Sequence, residues 1–393
     1  MSDPTTFLRE RVDTLLADHD PAAVSATEFL GARFDAGLAW VHFPEGLGGL
    51  GLPREHNETV DAWLAEAGAP EPDRQVNGIG LGMVAPTLLA VGTPEQTEKY
   101  LRPLYTCEEI WCQLFSEPGA GSDLAAVATR ATLEGDTWTV EGQKVWTSGA
   151  HHARRAILVA RTDISVPKHA GMTYFLLDME DPGIEVLPLR QITGEAEFNE
   201  VFLTGVKIPD ADRLGEVGEG WRVATTTLNN ERVAIGAGAA REAGHIGLLA
   251  DTWREKPEIR TEAAYHELMR WWIETEVTRL TGERVRQQLE VGHPGAEAAA
   301  MKLAFATQAQ GISGLALELD PDNGLLYDDW TMVRSESANF LGRDVGFRYL
   351  RAKGNSLEGG SSEILRNIVA ERVLGLPAEQ RPDKGIPFKD VPR

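Results

Sequence analysis

A glycine-rich loop at residues 113–123 carries the residue types best suited to holding a ligand. It reads Gln-Leu-Phe-Ser-Glu-Pro-Gly-Ala-Gly-Ser-Asp, so two serine hydroxyls and an amide stand beside two glycines. Glycines let the main chain approach a bound ring or pyrophosphate, and N–H groups and hydroxyls donate hydrogen bonds without a net charge. The loop does not match the Gly-x-Gly-x-x-Gly fingerprint. Glycine-rich turns also close ordinary hairpins, so the loop alone leaves both interpretations open.

Two further motifs narrow the choice. Residues 144–149 read Lys-Val-Trp-Thr-Ser-Gly, and residues 358–367 read Glu-Gly-Gly-Ser-Ser-Glu-Ile-Leu-Arg-Asn. In this order and at these separations the three motifs resemble the acyl-CoA dehydrogenase family, and three matches are far more specific than one. The resemblance implies a helical N-terminal domain, a β-barrel-like middle domain and a C-terminal four-helix bundle, with FAD as the cofactor.

The activity that the resemblance implies is α,β-desaturation of an acyl-CoA thioester. A carboxylate removes the α-proton while a hydride passes from the β-carbon to the flavin N5. The carboxylate needs a water-poor pocket, because desolvation raises its pKa and strengthens it as a base. Charge that develops on the thioester oxygen needs preorganised hydrogen-bond donors.

Two glutamates compete for the role of base. Many family members carry the base directly before the glycine of the terminal motif, where this chain has Gly359, with Glu358 one residue away. Others carry it in a Glu-Arg pair in the first helix of the C-terminal domain, and residues 228–234, Leu-Asn-Asn-Glu-Arg-Val-Ala, match that pattern. We therefore expect Glu231 to be the base, Gly359 N–H and a flavin ribityl hydroxyl to bind the thioester oxygen, and Glu358 to be a solvated loop residue. An acidic residue in a first helical turn also stabilises the helix dipole, so a structural role for Glu231 stays open.

The resemblance also assigns ligand contacts to individual positions. Trp146 would cover one face of the flavin ring, Ser148 would reach N5, and Ser116 would bond to the pyrimidine edge. Ser122 would lie between the flavin phosphate and the thioester. A plain alternative makes Trp146 an aromatic residue of the barrel core. The predicted set comprises, for the cofactor, Gln113, Leu114, Phe115, Ser116, Ser122, Trp146, Thr147, Ser148, Ser361 and Glu363, and, for the substrate, Ser122, Asn229, Arg232 and Gly360.

The charge balance bears on possible partners. Acidic side chains number 60 against 38 basic ones, which gives a formal net charge of −22. A negative field of this size repels nucleic acids and anionic membrane surfaces, so neither is an expected partner. Arg232 and Arg366 are candidates to attract an anionic acyl-CoA locally.

Cysteine usage and hydropathy predict a reducing compartment. Cys107 and Cys112 cannot form a disulfide framework, and we interpret both as partly buried small residues. Two adjacent histidines at 151 and 152 make a poor chelate, so no metal site is expected. No secretory signal pattern and no apolar run of membrane-spanning length is visible, which predicts a cytoplasmic protein.

Hydrophobic periodicity divides the 393 residues into three domains. We predict a helical domain at 1–112, a β domain at 113–220 and a helical bundle at 221–393. Thr93-Pro94-Glu95-Gln96 has the pattern of a capped helix start, and Pro103 is expected to end that helix. Predicted strands lie at 137–140, 156–159, 174–177, 184–187 and 201–203, and predicted helices at 263–289, 296–319, 333–350 and after Gly360.

Two segments depart from the family pattern. An Arg-x-x-Phe-Gly segment that reaches the flavin pyrophosphate of a neighbouring subunit is absent from residues 251–260, and a Gly-Gly-x-Gly segment is eroded at 319–324. In these two departures the chain resembles actinobacterial acyl-CoA dehydrogenases that act on steroid side chains. In those enzymes a second acyl-CoA dehydrogenase-like subunit completes the flavin site. The alternative of a homo-oligomer that binds the flavin phosphates through Arg254 or Arg260 stays open.

Three functional hypotheses follow from the resemblance. The first is an acyl-CoA dehydrogenase that passes electrons to an electron-transfer flavoprotein. The second is a relative that reacts with oxygen, as an oxidase or monooxygenase. The third is a non-catalytic subunit that stabilises another chain.

Overall fold

The computed structural model describes residues 3–236, 241–291, 297–324, 330–337 and 341–391. Within these ranges the chain forms helices, then one β-sheet, then helices again, in the order that the sequence predicts. In the described part, no helix combines the length and apolar character that crossing a bilayer requires.

From residue 3 onward, where the structure begins to describe the chain, five α-helices build the N-terminal part. They are α1 Pro4–Asp18, α2 Ala26–Asp35, α3 His56–Glu66, α4 Ala85–Val91 and α5 Pro94–Tyr105, with a π-helical turn at Gly80–Val84. The predicted start of α5 is confirmed, because Thr93 Oγ1 accepts the Gln96 N–H at 3.2 Å and Gln96 Oε1 accepts the Thr93 N–H at 3.0 Å. The prediction that Pro103 ends this helix is wrong. A proline in the last turn removes one backbone hydrogen bond, while Leu104 and Tyr105 beyond it are buried in the core.

Eight strands form one sheet in the middle of the chain. They are β1 Trp111–Leu114, β2 Arg130–Glu134, β3 Thr137–Ser148, β4 Arg155–Arg161, β5 Met172–Asp178, β6 Ile184–Leu189, β7 Phe198–Pro209 and β8 Arg213–Leu214. The strand order is β6-β7-β3-β2-β4-β5-β8, and β1 pairs in parallel with β4. The five predicted strands are confirmed as parts of β3 to β7.

Seven helices follow in the described C-terminal part. They are α6 Gly220–Gly236, α7 His245–Glu255, α8 Glu262–Val291, α9 Glu297–Leu319, α10 Pro321–Gly324, α11 Val345–Ala352 and α12 Ser362–Ile368. A π-helical turn at Val369–Val373 extends α12 to a left-handed Gly375 with φ of 67°. Helices α8 and α9 confirm two predictions, and α12 confirms the helix expected after Gly360.

The predicted helix at 333–350 is wrong over most of the residues that the structure describes there. Two backbone carbonyl oxygens of residues 330–337 bond to the middle domain: Val333 O accepts the Ala196 N–H at 2.8 Å, and Trp330 O accepts from Arg190 at 2.6 Å. The helix α11 begins only at Val345, after Asp344, whose carboxylate accepts the Phe347 N–H at 2.7 Å. Local periodicity cannot detect a backbone that pairs with a distant loop.

A buried cluster of three hydroxyl groups fixes the middle of α6 against the other two domains. Thr227 is fully buried, and its hydroxyl lies 3.1 Å from Thr87 Oγ1 of α4 and 2.9 Å from the Tyr174 hydroxyl of β5. The surrounding core cluster contains residues from the N-terminal helices, the sheet and α6. All three domains therefore meet at this face of α6.

Candidate functional site

A buried ion pair holds the loop at 113–123 against β3. Lys144 is fully buried, and its Nζ donates to Glu117 Oε1 at 2.8 Å, to Phe115 O at 3.0 Å and to Val159 O at 2.8 Å. Glu117 also accepts the Thr129 N–H at 2.9 Å. Burial alone would raise the pKa of Glu117, but the Lys144 charge and the backbone donors lower it overall. The carboxylate is therefore ionised, and the pair fixes the path of the loop.

The Trp146 ring is presented to solvent by a β-bulge. The register between β3 and β7 shifts between Lys144 and Thr147, and Trp146 has a φ of 60°, which is rare for a bulky residue. The side chain is 57% exposed, and its ring meets Phe198 edge-on at 5.7 Å between centroids. The alternative of a barrel-core aromatic is therefore wrong. Backbone strain of this kind is typical of functional sites.

The first two motifs lie side by side. The Val145 N–H donates to Ser116 O at 2.9 Å, so the predicted ring-edge residue stands next to the bulge. Thr147 O accepts from the Asn199 amide at 3.0 Å, which ties the end of β3 to β7. Ser148 is exposed, and its strand partner is Phe198. Ser116 therefore lies beside the segment of β3 that carries Trp146 and Ser148.

Two members of the predicted cofactor set have side chains in the core. Leu114 is fully buried among sheet residues, and Phe115 is 4% exposed, with its ring against Tyr174 at 5.7 Å. Only their main chain could therefore border a ligand. Gln113 is half-buried at the end of the same strand.

The tip of the glycine-rich loop is open. A Cβ atom added at Gly119 or Gly121 would meet no atom within 4 Å, so packing inside the described protein does not demand glycine at either position. Ser122 is exposed, and the next residue, Asp123, contacts Lys168 Nζ at 2.5 Å. The loop tip is therefore accessible while its end is tethered.

The terminal motif forms a turn that requires its two glycines. Gly359 and Gly360 have φ values of 61° and 96°, in the left-handed region that favours glycine. Lys302 of α9, 2% exposed, donates to Gly360 O at 2.8 Å and to Asn355 O at 2.6 Å. The buried Lys302 ammonium group thus fixes the conformation of the Gly359-Gly360 turn.

Glu358 is an ion-paired residue, which corrects its prediction as a solvated loop residue. Its carboxylate accepts two hydrogen bonds from the Arg351 guanidinium, at 3.0 and 2.9 Å. The same guanidinium donates to Glu197 at 2.8 Å, and burial raises the pKa of Glu197 despite that contact. Sequence reasoning missed this network because its members are far apart in the chain and belong to no motif.

The two remaining cofactor candidates begin helix α12. Ser361 Oγ accepts the Ile364 N–H at 3.3 Å, so its hydroxyl caps the helix. Glu363 is exposed, and its carboxylate lies 3.8 Å from the Arg366 guanidinium. Neither Ser361 nor Glu363 has a hydrogen bond or ion pair with Ser116, Trp146 or Ser148 among the contacts of the described residues.

The predicted base lies in the interior of α6. Because α6 begins at Gly220, position 231 is several turns inside the helix, and the alternative of a first-turn residue that stabilises the dipole is wrong. The side chains of Glu231 and Arg232 lie outside the described part of the structure, and Asn229 is exposed. Position 231 follows the buried Thr227 by one helical turn, on the same side of α6.

The cysteines and histidines have structural surroundings. Cys112 is fully buried, and burial raises its pKa, as it does that of the half-buried Cys107. His151 and His152 lie in a turn with ring centroids 4.8 Å apart. Within the described ranges, no group of three or more potential metal ligands is present.

Comparison with known proteins decides the family. Three protein-family models of acyl-CoA dehydrogenases match the chain. The N-terminal domain matches at residues 3–108, the middle domain at 112–206 and the C-terminal domain at 218–374. The chain belongs to the acyl-CoA dehydrogenase family. This is a family of flavoprotein oxidoreductases that act on CH–CH bonds, as the sequence motifs predict.

The similar curated proteins include actinobacterial members of the family. The chain is 38% identical to acyl-CoA dehydrogenase IpdE1 of Mycobacterium tuberculosis, over 88% of this chain and 86% of the relative. It is 39% identical to acyl-CoA dehydrogenase FadE34 of the same organism over 88% of this chain, but spans only 46% of FadE34.

Solved structures share the fold over nearly the whole chain. A glycine-to-alanine variant of the Tcur3481–Tcur3483 steroid ACAD is 25% identical, with a TM-score of 0.73 over 95% of this chain and 100% of that chain. The ChsE4–ChsE5 complex from Mycobacterium tuberculosis is 25% identical, with a TM-score of 0.70 over 96% of this chain and 99% of that chain.

The residues of this acyl-CoA dehydrogenase fit the cofactor of the family. The exposed indole can stack on a flat ring, and the glycine-rich tip leaves room for main-chain contact. In addition, Thr147 Oγ1 is buried beside Trp146 without a hydrogen-bond partner among the described residues. A buried hydroxyl of this kind indicates a partner that the protein itself does not supply.

The segments that depart from the family pattern have internal roles. Arg254 pairs with Asp251 at 2.5 Å, and Arg260 donates to Trp253 O at 2.9 Å and to Arg254 O at 2.7 Å. Lys256 contacts Asp320 at 2.5 Å. Both arginines that could replace the missing phosphate ligand are therefore engaged within their own segment.

Proposed function

We propose that this chain catalyses FAD-dependent α,β-desaturation of an acyl-CoA thioester. One observation carries the proposal: in a chain of this family, a β-bulge presents an exposed Trp146 beside the Ser116 main chain. A solvent-facing indole held in a strained backbone conformation is typical of a functional site. The cofactor would supply the acceptor for the β-hydride.

The chain would surround the flavin ring with uncharged groups. Trp146 would cover one face, while Gln113, Ser116, Thr147 and Ser148 would offer amide and hydroxyl contacts along its edge. The main chain of Leu114 and Phe115 would complete this edge. Ser122 would bond between the cofactor phosphate and the thioester, and Ser361 and Glu363 would lie toward the far end of the cofactor.

Glu231 would remove the α-proton. Its position in α6, one turn beyond Thr227 in the buried cluster of hydroxyl groups, supports a rigid placement near the junction of the three domains. The Gly359 N–H would donate to the thioester oxygen, in a turn that Lys302 holds in place. Asn229, Arg232 and Gly360 would contact the rest of the substrate.

The base assignment is tested by Glu231→Gln. We expect the variant to retain bound FAD and to lose the bleaching of flavin absorbance that acyl-CoA produces under anaerobic conditions. Glu242→Gln, at an exposed glutamate, is the control. Normal bleaching by Glu231→Gln would refute the assignment. A screen that includes fatty, branched and steroid-derived acyl-CoAs identifies the substrate.

We also propose that the active assembly is a heteromer with a second acyl-CoA dehydrogenase-like subunit. The missing phosphate-binding segment at 251–260 favours it. Structures of the similar ChsE4–ChsE5 complex and of the Tcur3481–Tcur3483 ACAD contain two named chains. FAD per subunit should be low for the chain alone and should rise on co-expression with such a subunit. Full loading of the chain alone would support a homo-oligomer instead.

The electron acceptor would be an electron-transfer flavoprotein in a cytoplasmic setting. Rapid-mixing experiments on the substrate-reduced protein distinguish this acceptor from oxygen. Reoxidation that requires the electron-transfer flavoprotein supports a dehydrogenase, whereas fast reoxidation in air indicates an oxidase.

A further inference from the structure

The guanidinium of Arg351 connects two parts of the proposed site that come from different domains. Arg351 lies on α11 and its side chain is only 10% exposed. Its Nε donates to Glu197 Oε1 at 2.8 Å, and its two terminal nitrogens bond to the Glu358 carboxylate at 3.0 and 2.9 Å. A fork of this kind fixes direction as well as distance.

The Glu197 side of the network leads to the flavin-facing end of β3. Glu197 O accepts the Gly149 N–H at 3.0 Å, directly after Ser148. The next residue, Phe198, contacts the Trp146 ring edge-on at 5.7 Å, and the Arg351 guanidinium carbon lies 5.4 Å from the Phe198 ring. A displacement of Glu197 would therefore move both the strand end and the support of the indole.

The Glu358 side leads to the terminal turn. Glu358 directly precedes Gly359, whose N–H is the proposed donor to the thioester oxygen. Lys302 binds the carbonyl oxygens of Asn355 and Gly360 on either side of Glu358, so the side chain of Glu358 and the backbone around it are fixed by separate cations. The orientation of the turn relative to the middle domain then depends on the bond to Arg351.

We propose that Arg351 is a positioning residue. It sets the distance and orientation between the end of β3, at residues 147–149, and the Gly359-Gly360 turn. It does so by binding one carboxylate from each side. Its catalytic consequence rests on the proposed function, because the flavin and the thioester would lie between these two elements. The structural consequence, which is the fixed arrangement of these two elements, does not rest on the proposed function.

The charges explain why no neutral residue would serve equally. Without Arg351, the buried Glu197 and the partly buried Glu358 would face each other as two like charges in a region of low dielectric constant. The carboxylates would separate or take up a proton. Either response displaces the terminal turn from the strand end.

Hydrogen exchange of backbone amides, followed by mass spectrometry, tests the structural consequence. Glu197→Gln should speed exchange in peptides that cover 354–361, and Glu358→Gln should speed it in peptides that cover 145–152, each about tenfold. In an Arg351→Gln background the same two substitutions should add little, because their coupling passes through the missing side chain. Effects confined to the peptide that contains the substitution would overturn the proposal.

Arg343→Gln is the matched control. Arg343 also bonds to a carboxylate of the middle domain, Glu195, and its side chain is 41% exposed. It contacts neither Glu358 nor Phe198 in the hydrogen bonds and ring contacts of the described residues. This substitution should leave both peptides unchanged. A change equal to that of Arg351→Gln would mean that any interdomain ion pair produces the effect.

Kinetics and flavin spectra test the catalytic consequence. Arg351→Lys keeps the charge but loses the fork, and we expect kcat to fall about 10- to 100-fold with KM changed less than about threefold. The flavin absorbance bands should shift, because the support of Trp146 moves, and guanidinium ions should partly restore an Arg351→Ala variant. Unchanged kcat with coupled exchange would leave the structural link and refute the catalytic one. Coupled exchange in the Glu197→Gln and Glu358→Gln variants, with no bleaching of the FAD-loaded wild-type protein by any acyl-CoA, would refute the proposed function alone.

Discussion

At the scale of single residues, the buried ion pair of Lys144 and Glu117 fixes the position of the glycine-rich loop at residues 113–123. Both side chains are removed from water, and each makes further bonds to main-chain groups. A buried ion pair adds little net stability compared with apolar residues, but the loss of one partner leaves an uncompensated charge. The pair therefore acts chiefly by fixing where residues 113–123 lie.

Lys144→Met should be strongly destabilising. We expect the free energy of unfolding in urea to fall by about 3–5 kcal/mol, because Glu117 would remain buried without its cation. The double variant with Glu117→Gln should recover part of this loss. If the single variant were as stable as the wild type, the ion pair would not be what holds the loop.

Trp146→Gly separates backbone strain from ring stacking. Glycine accepts a φ of 60° without steric strain, and this gain opposes the loss of the indole contact with Phe198, so the free energy of unfolding should change by less than about 1 kcal/mol. Affinity for FAD should fall about tenfold, because the stacking face is lost. Trp146→Phe should keep most of the affinity. Unchanged FAD affinity in the glycine variant would refute the ring-covering role, and a large loss of stability would refute the strain argument.

His42 should make the fold sensitive to mild acid. Burial, together with the charge of Arg54, lowers the pKa of His42 from 6.5 to about 4. Between these two values the unfolded chain binds more protons than the folded one, so stability is fully present above pH 6.5 and falls as the pH drops to about 4. His42→Gln should flatten this part of the profile of unfolding free energy against pH. Parallel profiles for the wild type and His42→Gln would contradict the assignment.

At this scale the sequence predicts motif residues better than their supports. The loop at 113–123 and β3 lie side by side, as their closeness in the chain suggests, with the Val145 N–H bonded to Ser116 O. Glu197 and Arg351 pair across 154 positions, and nothing in either local sequence indicates the other. Contacts of this kind depend on the tertiary arrangement.

At the scale of secondary-structure elements, local signals worked where the backbone bonds to itself. The cap at Thr93 and the alternation in β3 specify their elements directly. They failed at residues 330–337, where two carbonyl oxygens bond to the middle domain, and at Pro103, where core packing outweighs one missing bond. The bulge at Trp146 was also missed, because its cause is a register shift between distant strands.

Gln96 should contribute more to stability than its capping role explains. Its Oε1 completes the capping box of α5, and its Nε2 donates to Ala211 O at 2.8 Å and Arg213 O at 2.9 Å. Thr93→Ala removes a cap and should cost about 1 kcal/mol. Gln96→Ala also leaves two carbonyl oxygens without this donor, so we expect a loss of about 2–3 kcal/mol in urea unfolding. Equal losses for the two variants would show that the contact with the 211–213 segment contributes nothing.

At the scale of the whole molecule, the C-terminal tail returns to the middle domain next to the ligand loop. Phe388 is buried 3.9 Å below the Arg161 guanidinium, and its N–H donates to Val166 O at 2.9 Å. Asp383 contacts Lys168 Nζ at 2.5 Å, and Lys168 also holds Asp123 at the end of the loop. The tail, the sheet and the loop therefore form one connected unit that no local pattern predicts.

The tail attachment should persist at neutral pH and support the loop. The hydrogen bond from Lys168 lowers the pKa of Asp383 to about 2, so this carboxylate stays charged above pH 4, and its contribution is lost only as the pH falls toward 2. Phe388→Ala should lower the free energy of unfolding by about 3 kcal/mol. Combined with Asp383→Asn, it should also speed amide exchange at 121–127 at pH 7, since Arg161 binds Ala125 O at 2.6 Å and Lys168 binds Asp123. Lys384→Ala, an exposed tail position, is the control. Fast exchange confined to the tail itself would show that the loop at 113–123 keeps its place without the tail.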